Sequence, residues 1–191
     1  MTLDQQYKGR LQFLGLLVAF LVPVVTVVLM YQFNWMPSGS SYGTLVRPPR
    51  DLNIPVLENY GQKLVSASDW HDKWHLVQVS ANGCDQACLD NLRDMRQIHA
   101  SLAKEIGRLE RVWLVNASIT ENQLKEARAK YPDMLILLQS DVLAKQFIDT
   151  GVGRMYLVDP LGKLMMRYPH EVEAKAIRKD LLRLLQYSWA G

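Results

Sequence analysis

Between Arg10 and Arg47 the chain carries no charged residue, and from Leu11 to Phe33 it runs through 23 apolar or weakly polar side chains. As an α-helix rising ~1.5 Å per residue, that stretch spans ~34 Å, enough to cross a hydrocarbon core of ~30 Å with some tilt. Pro23 falls mid-segment, where helices in lipid tolerate proline better than helices in water. Tyr31 and Trp35 suit the far interface, while Lys8 and Arg10 flank the near side. The excess of positive charge on that side predicts a cytoplasmic N-terminus over 1–10, a transmembrane anchor over 11–33, and everything beyond residue 34 outside. Ser38-Gly39-Ser40 loosely resembles a signal-peptidase site. The apolar run is nevertheless far longer than the ~7–15 residues of a signal core. A buried helix of a soluble protein would need a polar face that this run lacks.

The remainder of the 191 residues suffices for one globular domain. The whole chain's 22 basic and 19 acidic residues leave a net charge of +3, without the concentrated basic surface that binds nucleic acid. Five Trp and eight Tyr with abundant Leu and Val argue against disorder. Two cysteines make neither a disulfide framework nor a cysteine-only zinc site. Residues 34–66 read as a stalk, from Met36-Pro37-Ser38-Gly39-Ser40-Ser41-Tyr42-Gly43 through Pro48-Pro49 to Pro55. A domain over 67–191 follows.

That domain alternates strands and helices. Trp74–Ser80 reads as a strand stopped by Asn82-Gly83. A helical stripe starts at Cys88 and continues through Leu92, Met95, Ile98, Leu102, Ile106 and Leu109. Arg111–Val115 and Met134–Leu138 suit strands covered on both faces. Thr120 and Gln123 form a capping box for a helix running to about Tyr131, and a short helix is expected around Leu143–Ile148. Met155–Val158 and Lys163–Met166 flank the turn Asp159-Pro160-Leu161-Gly162. A last helix carries Ala174, Ile177, Leu181, Leu184 and Leu185 on one stripe. The order β-α-β-α-β-(α)-β-β-α, with right-handed crossovers, predicts an α/β thioredoxin-like domain: a central mixed sheet flanked by helices.

In open α/β sheets, sites lie beyond the carboxyl ends of the strands. The loop after the first strand of this domain holds both cysteines, Cys84 and Cys88. Backbone N–H groups at the start of the following helix favour thiolate over thiol. Thiolates attack disulfides and bind soft metals, so three readings stand: a structural disulfide, a redox dithiol and a Cu(I) pair. His71, His75, His99 and His170 are expected as surface or packing residues, since none is placed to reach the sulfurs. The loop Thr150-Gly151-Val152-Gly153-Arg154 should face the cysteines, yet it supplies no ligand. Met155 or Met165 could lend a thioether to copper, although both fit a core.

An anchor, a Pro-containing stalk, this element order, Cys84-x-x-x-Cys88 after the first strand and the Tyr156–Gly162 hairpin together resemble the Sco/SenC family. The resemblance covers about residues 44–188. It implies help in assembling the dinuclear copper centre of cytochrome c oxidase. Cys84 and Cys88 would then serve as the catalytic redox pair or as Cu(I) ligands. The partner would be the oxidase's copper-binding subunit or another assembly factor, at the outer face of a bacterial cytoplasmic membrane. The family's histidine has no counterpart at Gly151–Gly153, and Asp85 and Leu89 stand where the family has prolines. The chain thus resembles a divergent, histidine-less branch. The alternative expectation is a non-catalytic tethered scaffold with a structural disulfide. A peroxidase is disfavoured because no threonine precedes either cysteine at the spacing such enzymes use.

Overall fold

The computed structural model describes residues 3–33, 41–60, 64–80, 83–138, 141–151 and 153–189. Trp35, the Met36–Ser40 part of the linker, Ala81, Asn82 and Val152 lie outside the described residues. The chain divides into two units, Met1–Ser40 and Ser41–Gly191.

The first unit is helix α1, Leu3–Gln32. Its segment Tyr7–Gln32 is long and apolar enough to cross a membrane, and none of its apolar window is buried against protein. Pro23 has no N–H to give to the preceding turn, so the ladder loses one bond there. Further along, Thr26 Oγ1 donates to the Val22 carbonyl at 2.7 Å, so this hydroxyl of the apolar run has its partner within the helix. Such a helix fits a single-pass membrane anchor.

The second unit is built on an eight-stranded sheet in the order β1-β8-β7-β4-β5-β6-β2-β3. Its centre follows the sequence pattern closely. Strands β4 (Trp74–Ser80), β5 (Leu109–Val115) and β6 (Leu135–Leu138) are parallel, joined through helices α2 (Gln86–Ala100) and α3 (Glu121–Lys130). Helix α4 (Asp141–Ile148) leads to the antiparallel hairpin β7 (Met155–Val158) and β8 (Lys163–Tyr168), and α5 (Ala174–Tyr187) closes the chain. The hairpin turn holds because Asp159 Oδ1 accepts from the amides of Leu161 and Lys163, at 2.9 and 2.8 Å. Gly162 supplies the left-handed φ of 78° that the turn requires. The capping box of α3 is present as read: Thr120 Oγ1 accepts from the Gln123 amide and Gln123 Oε1 from the Thr120 amide.

Alternate residues of the central strands feed two cores. Leu76, Trp113, Val115 and Ile136 face the layer of α2, α3 and α5. Val77, Val112, Leu114 and Leu137 pack with Trp70, Leu143 and Phe147 on the other face.

Two expectations need correction. The stretch read as a stalk over 34–66 belongs to the sheet from its middle onward, as β1 (Thr44–Asp51), β2 (Leu57–Asn59) and β3 (Leu64–Val65). Pro48 and Pro49 hid β1, because proline normally excludes a strand. Here they fall where β1 pairing with β8 shifts register between Leu45 and Arg50, on an edge strand that needs no second partner. Buried Asp180 of α5 pins the start of β1 by accepting from the Tyr42 and Gly43 amides, at 2.8 and 3.0 Å. A side chain at Gly43 would collide with Met166 and Tyr168. Helix α2, for its part, ends at Ala100 and not near Leu109. A 3-10 turn over Ala103–Arg108 follows, leaving Ile106 exposed, and Leu109 opens β5. His99 Nε2 donates to the carbonyls of Ile106 and Leu109 at 3.1 and 2.9 Å, tying that turn to the helix.

Candidate functional site

At the carboxyl end of β4 the chain turns into α2 with Asp85 as N-cap, its Oδ1 accepting from the Cys88 amide at 2.9 Å. The helix therefore begins at Gln86. Cys88 sits within its first turn instead of opening it, and Cys84 lies just before the cap. The two are joined as a disulfide with their Cα atoms 5.2 Å apart. Spacing of four residues across an N-cap brings the sulfurs to one side, close enough to bond.

The two cysteines differ in access. Cys88 is only 7% exposed, whereas Cys84 is half-buried. Behind Cys88, Ser80 Oγ lies 3.2 Å from Cys88 Sγ and also accepts from Trp113 Nε1 at 2.8 Å. Ser80 and Trp113 escaped the sequence reading. The available signal was parity: Trp74, Leu76, Gln78 and Ser80 share one face of β4, the face that α2 covers.

In front of Cys84 lies a groove of about 350 Å³ between α2 and α3. Cys84, Leu89, Leu92, Trp113, Ala127 and Tyr131 contribute to its walls, and Asp90, Arg93, Glu126 and Lys130 supply charge of both signs. A larger hollow of about 620 Å³ adjoins β1 and is lined partly by Arg47, Arg50 and Arg167. It holds neither sulfur, and β8 and β7 separate β1 from β4.

The glycines before the hairpin pack elsewhere: a side chain at Gly151 or Gly153 would strike Arg167. Arg154 reaches α2 instead, donating from Nε to Asn91 Oδ1 at 2.9 Å and from Nη2 to Asp94 Oδ2 at 2.5 Å. Of the histidines, His71 bridges to Leu161, His99 binds the 3-10 turn, and His170 is exposed. His75 is fully buried near the start of β4, stacked on Trp70 at 4.8 Å between ring centres. At ~3.3 Å per residue, five positions place it about 17 Å along the strand from Ser80. Among the described residues no group of three or more His, Cys, Asp and Glu is disposed to hold a metal ion. Met155 is buried in the core.

A family model described as "Transmembrane-like, thioredoxin-like, C-terminal domain" matches residues 74–188, more than half of the chain. The chain belongs to this family. A search of curated proteins found no significant match. Among solved structures, yeast Sco1 with copper bound is similar at a TM-score of 0.57 and 15% identity, over 73% of this chain and 91% of that one. BsSco, described as a Sco-family cytochrome c oxidase assembly protein with a disulfide switch, has a TM-score of 0.55 at 15% identity, over 74% of this chain and 96% of its own. A thiol:disulfide interchange protein from Bacteroides sp. has a TM-score of 0.55 at 14% identity, over 74% and 91%. The sheet and helices of the second unit thus have the thioredoxin-like fold that these proteins share.

Proposed function

We propose that this protein is a membrane-anchored thiol–disulfide exchange factor for the copper-binding subunit of cytochrome c oxidase. Its soluble unit would stand on the outer face of a bacterial cytoplasmic membrane. The observation that carries this reading is the asymmetry of the cysteine pair: one sulfur opens beside a groove while the other is buried in a helix's first turn. In the reduced protein, Cys84 thiolate attacks one sulfur of the partner's disulfide, forming a mixed disulfide and releasing the partner's second sulfur as thiolate. Cys88 thiolate then attacks Cys84 Sγ, breaking the mixed disulfide and expelling the partner's other thiolate. Two electrons pass to the partner, whose thiols take up two protons, and the Cys84–Cys88 disulfide is restored. The location beyond the membrane suits this chemistry, because disulfides persist there. The groove offers the partner's chain an apolar floor beside the sulfur it must meet.

Copper would be cargo here. The reduced pair offers two thiolates, which suit Cu(I), but no third ligand of the family's kind falls beside them among the described residues. Exchange is therefore favoured over copper carriage.

The decisive experiment mixes the reduced full-length protein, in detergent micelles, with the oxidised copper-binding domain of the oxidase from the same organism. The partner's disulfide should be reduced, Cys84→Ser should abolish the reaction, and Cys88→Ser should accumulate the mixed disulfide. Tight one-to-one Cu(I) uptake lost in Cys84→Ser, without partner reduction, would replace exchange with carriage. Full oxidase activity in a deletion strain carrying Cys84→Ser with Cys88→Ser would leave only a scaffold.

A further inference from the structure

Ser80, Trp113 and Cys88 form a buried hydrogen-bonded line, with exposures of 4%, 1% and 7%. An indole N–H can only donate, so at the 2.8 Å contact Ser80 Oγ is the acceptor from Trp113 Nε1. The serine hydrogen then needs an acceptor of its own. Cys88 Sγ lies 3.2 Å from Ser80 Oγ, and a disulfide or thiolate sulfur has no hydrogen to offer. In both of those states Ser80 is the donor and the sulfur the acceptor.

We propose that Ser80 donates this hydrogen bond to Cys88 Sγ at the moments when the sulfur carries the reacting electron pair, and that Trp113 is the positioning residue that keeps the hydroxyl aimed. The inference rests on the exchange reading above. When a reductant's thiolate attacks Cys84 Sγ, a new S–S bond forms there. The Cys84–Cys88 bond breaks and its electron pair leaves on Cys88 Sγ. In the closing direction, the same sulfur begins as the thiolate that attacks Cys84. Apolar burial by itself disfavours thiolate at Cys88 and would make it a poor leaving group. A hydrogen bond to a charged acceptor, in a place that bulk water does not reach, opposes that penalty. The line is fully satisfied with Cys88 as disulfide or thiolate. With Cys88 as thiol, the sulfur is a weaker, uncharged acceptor and the bond is worth less.

The test measures how fast dithiothreitol opens the disulfide in the full-length protein in detergent micelles, with free thiols trapped by alkylation at fixed pH. Ser80→Ala is expected to slow opening roughly tenfold, the scale of one hydrogen bond to a charged group. Ser80→Thr, which keeps the hydroxyl, should recover most of that loss, a rescue that a packing role alone would not produce. Trp113→Phe keeps an aromatic ring in the core but removes the N–H donor together with the rest of the indole's five-membered ring, and it should slow opening by a smaller factor, roughly threefold. A wild-type rate in Ser80→Ala, or a threonine variant as slow as the alanine one, overturns the proposal. If the alanine variant does not fold, the near-isosteric pair Ser80→Thr and Ser80→Val decides in its place: equal rates overturn the proposal and slower opening in the valine variant supports it. No oxidase subunit enters this assay. A protein that fails to reduce the partner yet shows the Ser80 effect refutes the functional reading alone, and the converse refutes only the role of Ser80.

Discussion

The two ends of the same parallel strands are built on opposite principles. At their carboxyl ends, β4 and β5 set the buried sulfur of a disulfide against a serine hydroxyl, an indole N–H and the amides of a helix start that the Asp85 carboxylate caps. At their amino ends they hold a knot of charge. Lys73 Nζ meets Glu110 Oε1 at 2.5 Å, His75 Nε2 stands 3.5 Å from Glu110 Oε2, and buried Arg111 pairs with Asp133 ahead of β6. Opening the disulfide would place new charge only at the sulfurs, at the end of the strands opposite the ion pairs. The amino end depends on charges whose partners must stay in place. Under the exchange reading proposed above, cycling at the sulfurs would leave the ionic end untouched.

The sharpest way to break this comparison is at Arg111. Its guanidinium is 1% exposed, and Nε and Nη1 have no hydrogen-bond partner among the described residues, so Asp133 is its main compensation. Asp133→Ala leaves a buried cation without its anion, and chemical denaturation should register a loss of about 3 kcal/mol. Arg111→Met removes both the charge and its desolvation penalty, and should come close to wild-type stability. The rate of disulfide opening should be the same in both variants. A change there would mean that the two ends are coupled.

Opening the disulfide should cost less. The loop it closes is so short that, by the chain-entropy rule, reduction lowers stability by about 2 kcal/mol. The reduced protein should therefore remain folded, with a melting temperature a few degrees below that of the oxidised form. Unfolding on reduction would make the disulfide a structural staple and favour the scaffold reading over exchange.

Regions whose interactions are local were legible in the sequence, and regions whose interactions depend on register were not. The Thr120–Gln123 box and the Asp159–Gly162 turn each lie within a few residues, the stripe of α5 within one helix, and all three stand as read. Cys84 and Cys88, four apart across an N-cap, belong to the same class. Strands β2 and β3, of three and two residues, are too short to show a period. The stripe extended past Ala100 because Leu102 and Leu109 face the same core from different elements, by coincidence in helical phase. The Ser80–Trp113 contact needs the parallel register of β4 on β5, with Gln78 opposite Trp113, and no local pattern encodes that.

The smallest predicted effect lies in the acid limb of stability. Glu110 is held well below its ordinary 4.5, at about 2, by His75 beside it and, against the opposing effect of burial, by Lys73. A carboxylate with a depressed folded pKa stabilises the fold above its unfolded value and loses that contribution as pH falls toward the folded one. The contribution of Glu110 is thus complete above about pH 5 and fades between 4.5 and about 2. Its side chain is 31% exposed and that of Lys73 is 45% exposed, so water screens the pair and the net value is about 1 kcal/mol. Glu110→Gln should lower stability by that amount at pH 7 and flatten the acid limb of a denaturation series. Disulfide opening at pH 7 should keep its wild-type rate. An acid limb unchanged in Glu110→Gln would show that Glu110 carries none of the pH dependence. A slower exchange rate would instead show that the ionic end sets the reactivity of the sulfurs, contrary to the separation drawn between the two ends.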